Sequence, residues 1–114
     1  LVSAWEKFFA ATLKLASAGP IKQRLLEAFT AYLSDVEQDE LPKEIRGDFS
    51  ALAQSLEQVR PMRGENAIQA TVRKMSDDDA ARYSRQIVSM LGSISRMHMQ
   101  TRQPVLRAVS GGDD

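Results

Sequence analysis

The sequence predicts an all-α protein, a helical bundle of four main helices with room for a short extra helix. Three observations carry that prediction. Apolar residues recur at steps of three and four, as in Ile21, Leu25, Leu26, Phe29, Tyr32, Leu33 and Val36, which places them on one helix face. Gly19-Pro20, Leu41-Pro42 and Arg60-Pro61 punctuate the chain where helices stop and restart. No stretch alternates apolar and polar residues over the length of a strand.

The first helix begins at Ser3, whose hydroxyl suits an N-cap, with Glu6 completing a capping box three residues on. Trp5, Phe8, Phe9, Thr12, Leu13, Leu15 and Ala16 make its apolar face, and Gly19-Pro20 ends it. Pro20 fits the first turn of the second helix, which runs to about Val36. The acidic run Asp35, Glu37, Asp39 and Glu40 connects it to a third helix bearing Leu41, Ile45, Phe49, Leu52, Ala53, Leu56 and Val59. Gly47 weakens that helix by about 1 kcal/mol relative to alanine. Residues 61–66 form a polar loop, and Ile68, Val72 and Met75 are in step for a short helix over 67–74. The β-branched Thr71 and Val72 make that helix the weakest of the set. Ser76 then caps the last helix, and Asp77, Asp78 and Asp79 meet the positive end of its dipole. Tyr83, Ile87, Val88, Leu91, Ile94 and His98 line one side down to about Gln100, and Pro104 is the expected stop. Residues 1–102 thus read as a single helical domain and 103–114 as a flexible C-terminal tail.

A chain of 114 residues can bury a core without a metal or disulfide. It has no cysteine, which rules out thiolate zinc sites and disulfides, and a cytoplasmic location is expected. Charge is balanced overall but not locally. Residues 1–59 carry 6 basic and 9 acidic side chains, and residues 60–107 carry 9 basic and 4 acidic. The apolar start of the chain is broken by Glu6, Lys7 and Lys14, short of the roughly 20 apolar residues a membrane span needs. No membrane association is expected.

Little catalytic chemistry fits. The one histidine, His98, has Ser95 three residues before it, so the paired Glu-x-x-His pattern of a di-iron bundle fails. An EF-hand loop counted from Asp77 would need glycine at Arg82 and glutamate at Val88. No Gly-x-Ser-x-Gly elbow is present. Neither a catalytic residue, a metal site nor a cofactor site is assigned, and the chain does not read as an enzyme. A recognition helix headed by Asp77, Asp78 and Asp79 would be repelled by a nucleic acid. A nonspecific grip through Arg96, Arg102 and Arg107 is the weaker version of that reading.

Two candidate surfaces remain. The last helix mixes methionines with small residues, and Met90, Gly92, Ser93 and Met97 form a possible interface where another backbone can approach. The loop residues Arg60, Arg63, Glu65 and Asn66 combine backbone freedom with a basic pair that suits a carboxylate or phosphate. The function expected is a non-enzymatic protein–protein interaction or regulatory module, acting on a protein partner or by homo-oligomerisation. The alternatives are a nonspecific nucleic-acid accessory protein and a small-ligand-binding bundle.

Overall fold

The computed structural model describes residues 3–112, with side chains described through Met97. The described residues form five α-helices and no strand: α1 (Ala4–Leu15), α2 (Ile21–Ala28), α3 (Lys43–Ser55), α4 (Ala67–Lys74) and α5 (Asp77–Gly112). The all-α bundle is as the apolar periodicity predicts, but with five helices instead of four, because residues 67–74 form a full element. Asn66 explains its stability. Asn66 Oδ1 accepts the Gln69 N–H at 2.8 Å and Gln69 Oε1 accepts the Asn66 N–H at 2.8 Å, a reciprocal cap that offsets the β-branched interior.

Helix α1 starts as expected at the Ser3–Glu6 capping box. Its far end is closed by Arg24, whose guanidinium donates to the Leu15 carbonyl and, at 2.7 Å, to the Gly19 carbonyl. Gly19 has φ 111°, a left-handed turn that glycine adopts without strain.

The second helix is not continuous to Val36. After Ala28 it widens into a π turn, Phe29–Leu33, closed by the Ser34 N–H donating to the Phe29 carbonyl at 2.9 Å. Leu25, Phe29 and Leu33 are all buried at four-residue intervals. In an α-helix each such step drifts by about 40°. The wider turn keeps all three pointing inward. Tyr32, expected on that face, is left 37% exposed.

Helix α3 ends at Ser55, although Leu56 is still buried. Helix α5 continues past Pro104 to Gly112, so the expected stop there is corrected. Proline removes one backbone donor, and the helical path is maintained around that single missing bond. The side chains of His98, Met99, Arg102 and Arg107 lie outside those described.

Helix α1 packs on α2, the π turn and α5; α2 also touches α4 and α5, and α3 packs on α5. One continuous cluster of buried side chains fills the centre. Phe8, Phe29 and Phe49 join α1, the π turn and α3 through ring centroids 5.8 and 6.4 Å apart. Phe8 and Phe29 are essentially inaccessible, and each such burial contributes about 1.5–3 kcal/mol. Among the described residues, no helix is long and apolar enough to cross a membrane.

Candidate functional site

The loop between α3 and α4 is tied down at two of the four residues that suggested binding, Glu65 and Asn66. Arg73 reaches back from α4 and grips Glu65 with two hydrogen bonds, Nε to Oε2 at 2.8 Å and Nη2 to Oε1 at 2.9 Å. Glu65 Oε1 also accepts the Met62 N–H at 3.0 Å. Arg73 first, and that N–H second, lower the Glu65 carboxyl to about 2. Asn66 is the α4 cap. Deeper in, the Val59 N–H donates to Thr71 Oγ1 at 3.0 Å, and the same hydroxyl donates to the Ala67 carbonyl at 2.8 Å. Arg60 and Arg63, the other two predicted loop residues, are exposed with no ion pair among the described residues. Two isolated arginines on a fastened loop do not assemble a site.

The four predicted interface residues of α5 are not brought together on one accessible face. Met90 is 5% exposed and belongs to the core, and only its edge reaches the groove that Ser93 lines. Ser93 is half-buried beside a shallow polar groove between α3 and α5 that Asp48 and Gln86 also line. Met97 is half-buried and lines a separate groove with Trp5 and Leu41. No backbone approaches Gly92. A Cβ there would meet only Arg96 Nη1, at 3.7 Å, which is ordinary contact. The close helix approach expected at Gly92 therefore does not occur among the described residues.

A different surface, on the α1 side of α5, gathers unengaged groups. Ala4, Phe8, Ala11 and Leu15 turn the core face of α1 inward. The neighbouring face carries Phe9, 43% exposed, and Leu13, 56% exposed, one turn apart. Trp5 stacks on Phe9 with centroids 5.2 Å apart and planes within 6°. Its indole Nε1 donates to Ser95 Oγ on α5 at 2.8 Å, pinning the aromatic pair against that helix. Further along, a groove of about 520 Å³ runs between α1 and α5. Thr12, Leu15 and Ala16 wall it from α1, and Arg85, Val88 and Ser89 from α5. Val88 is 45% exposed.

Two features of this groove are chemically unfinished. Thr12 Oγ1 is buried and has no hydrogen-bond partner among the described residues. A helical threonine ordinarily turns its hydroxyl back to a carbonyl of the preceding turn, as Ser84 does to Ala80 at 2.7 Å. The cationic rim is likewise unpaired. Arg85 is exposed with no carboxylate partner among the described residues, and Arg96 folds over Gly92 and donates only to Ser93 Oγ at 3.1 Å. By contrast Arg82 pairs with Asp79 at 3.3 Å and Lys14 with Glu27 at 2.6 Å. The Glu27 carboxyl is held below its ordinary range chiefly by Lys14 and then by Gln23.

The helix start of α5 is self-contained: the Asp79 N–H donates to Ser76 Oγ at 3.0 Å, as the capping pattern predicts. Among the described residues no three acidic or histidine side chains converge as metal ligands.

Sequence reasoning missed the α1/α5 groove because it assigned Phe9, Leu13 and Val88 to core stripes. The signal that marks them is the width of the apolar arc on α1. It is broader than one packing neighbour can cover, since Phe8 and Leu13 sit about 140° apart around the helix. Comparison with protein-family models, with curated proteins and with solved structures finds no match to this chain.

Proposed function

We propose that this chain is a non-enzymatic protein-interaction module whose docking surface is the α1/α5 face. One observation carries the reading: among the described residues, three of the five large exposed apolar side chains, Phe9, Leu13 and Val88, stand on the two adjacent helices that wall an apolar groove, with Val88 in its lining. Single exposed apolar residues are ordinary, whereas a cluster bordering a groove with a polar rim is the usual form of a binding surface. A cysteine-free chain suits a reducing compartment, and the cytoplasm is the location proposed for it.

The test is site-specific photocrosslinking in the native cell. A photoreactive residue is placed at position 13, at position 88 or at position 54, an exposed site on α3. The expected result is a discrete protein adduct from positions 13 and 88 and none from 54. An adduct between two copies of the chain would identify the module as a homo-oligomer. No discrete adduct from 13 and 88, or equal labelling from all three, would overturn the proposal.

A further inference from the structure

We infer that the occupant of the α1/α5 groove is an acidic amphipathic helix supplied by a partner protein. The inference rests on the reading of this face as a docking surface and adds the chemistry of what docks there.

Shape and charge point the same way. Two helices lying side by side leave a channel open along their axes, which is the geometry that accepts a third helix. Leu15, Ala16 and Val88 are the apolar lining of the channel, and α1 also exposes Phe9 and Leu13, about 6 Å apart along its axis. A partner helix meets such a row with apolar residues one turn apart. Along the other wall, Arg85 lines the groove beside Val88, and the Arg96 guanidinium lies over Gly92, one turn beyond Val88. The two arginines are spaced about 16 Å along α5. Each guanidinium has a planar donor set that a carboxylate can accept in two parallel bonds.

Among the described residues neither guanidinium is paired with a carboxylate, and Asp48 lines the neighbouring α3/α5 groove with Ser89 and Ser93. Glu6 is engaged by Ser3 in the α1 capping box, and Asp79 is paired with Arg82. Asp78 stands two turns before Arg85, at the α5 start. A second copy of the chain would bring a like-charged rim to the same surface, because a two-fold interface opposes identical patches. A lipid surface is also a poorer fit. Membrane-binding basic surfaces carry about 4–8 clustered cations, whereas the described residues of this one supply two, spread along the helix.

The experiment is selection from a displayed library of helical peptides on the full chain, followed by titration of the winning peptide. Trp5, the only tryptophan, stacks on Phe9 and reports occupancy by its emission. The expected peptides place Asp or Glu beside an apolar i, i+3, i+7 row. Arg85→Glu combined with Arg96→Glu is expected to weaken the best peptide about tenfold or more, with helicity unchanged by circular dichroism. Leu13→Gln combined with Val88→Gln is expected to abolish the binding. Peptides that lack acidic bias yet still depend on Leu13 and Val88 would overturn this inference and leave the docking surface standing. Absence of any peptide that depends on Leu13 and Val88 would overturn both. Binding to vesicles containing about a third phosphatidylserine, lost in the double arginine variant, would assign the face to lipid and overturn the partner helix. A dimer in sedimentation that dissociates on Leu13→Gln with Val88→Gln would assign the face to a second copy and overturn the partner helix as well.

Discussion

In the 61–66 loop Glu65 and Asn66 are engaged by the helix that follows; on the α1/α5 face the Thr12 hydroxyl and the Arg85 guanidinium have no such partner among the described residues. Glu65 is gripped by Arg73, Asn66 caps α4, and Thr71 holds the backbone of Val59. Across the molecule, among the described residues, Thr12 has a buried hydroxyl without a partner, Arg85 and Arg96 have no carboxylate partner, and Phe9, Leu13 and Val88 stand exposed. The same residue types thus stabilise one region and leave the other incomplete. Folding free energy accounts for the loop's bonds. It gives no reason for an orphaned hydroxyl or a clustered apolar surface, and that is where a binding role is argued from.

The two threonines test the contrast most directly, because one substitution has opposite consequences at the two sites. Thr71 is 3% exposed and is the acceptor for the Val59 N–H. Thr71→Val leaves that donor without its acceptor and is expected to lower unfolding free energy by about 1–3 kcal/mol. Thr12→Val removes a buried hydroxyl that satisfies nothing, and the isosteric methyl suits an apolar wall. That variant is expected to be neutral or up to about 1 kcal/mol more stable. Urea unfolding of both proteins measures the difference. Equal losses at the two sites would mean that Thr12 has a structural partner after all, and the contrast between the regions would fail.

These outcomes also mark how much of the molecule was legible in its sequence. The stop at Gly19-Pro20 was legible because it is local, Gly19 turning with positive φ, whereas α3 ends at Ser55, short of Pro61, and α5 runs through Pro104. The Ser3–Glu6 box and the Ser76 cap were legible for the same reason. Asn66 followed by Gln69 is an equally local capping pattern, and it identifies Asn66 as a cap before any binding role is considered. The π turn was not legible, because it depends on Phe29 meeting Phe49 from a distant helix. The Glu65–Arg73 grip depends on how the loop folds back on α4. Nor could periodicity separate covered from uncovered apolar residues. Phe8 and Phe9 are neighbours in sequence, yet α1's packing partners cover the first and leave the second 43% exposed. Met90 shows the converse, since its side chain reads as an adaptable surface and is consumed by the core.

A smaller effect distinguishes the two accounts of Gly92. If its role were close packing inside this chain, any side chain there would clash. The space is open, with only the flexible end of Arg96 at contact distance. Gly92→Ala is therefore expected to raise stability by about 0.5–1 kcal/mol through helix propensity alone. Differential scanning calorimetry would show the gain as a higher Tm. A loss would show that another segment packs against this glycine and would restore the close-approach reading of α5.

The smallest effect on stability belongs to the best-formed ion pair. Glu65 and Arg73 meet at the surface, where solvent screens the attraction, so removing the pair is expected to change unfolding free energy little. Its signature is in titration. The Glu65 carboxyl is lowered from 4.5 to about 2, so whatever stability the pair contributes is fully present above 4.5 and is lost as pH falls toward 2. In an NMR titration the Glu65 carboxylate is expected to remain ionised through the range where ordinary glutamates protonate. Arg73→Gln should return it toward the ordinary value, with only the Met62 N–H left to hold it down. A Glu65 that titrates normally in the unsubstituted protein would mean that the loop is not clamped in solution. Glu65 would then rejoin Arg60 and Arg63 as a free group, and the loop would resemble the α1/α5 face instead of standing in contrast to it.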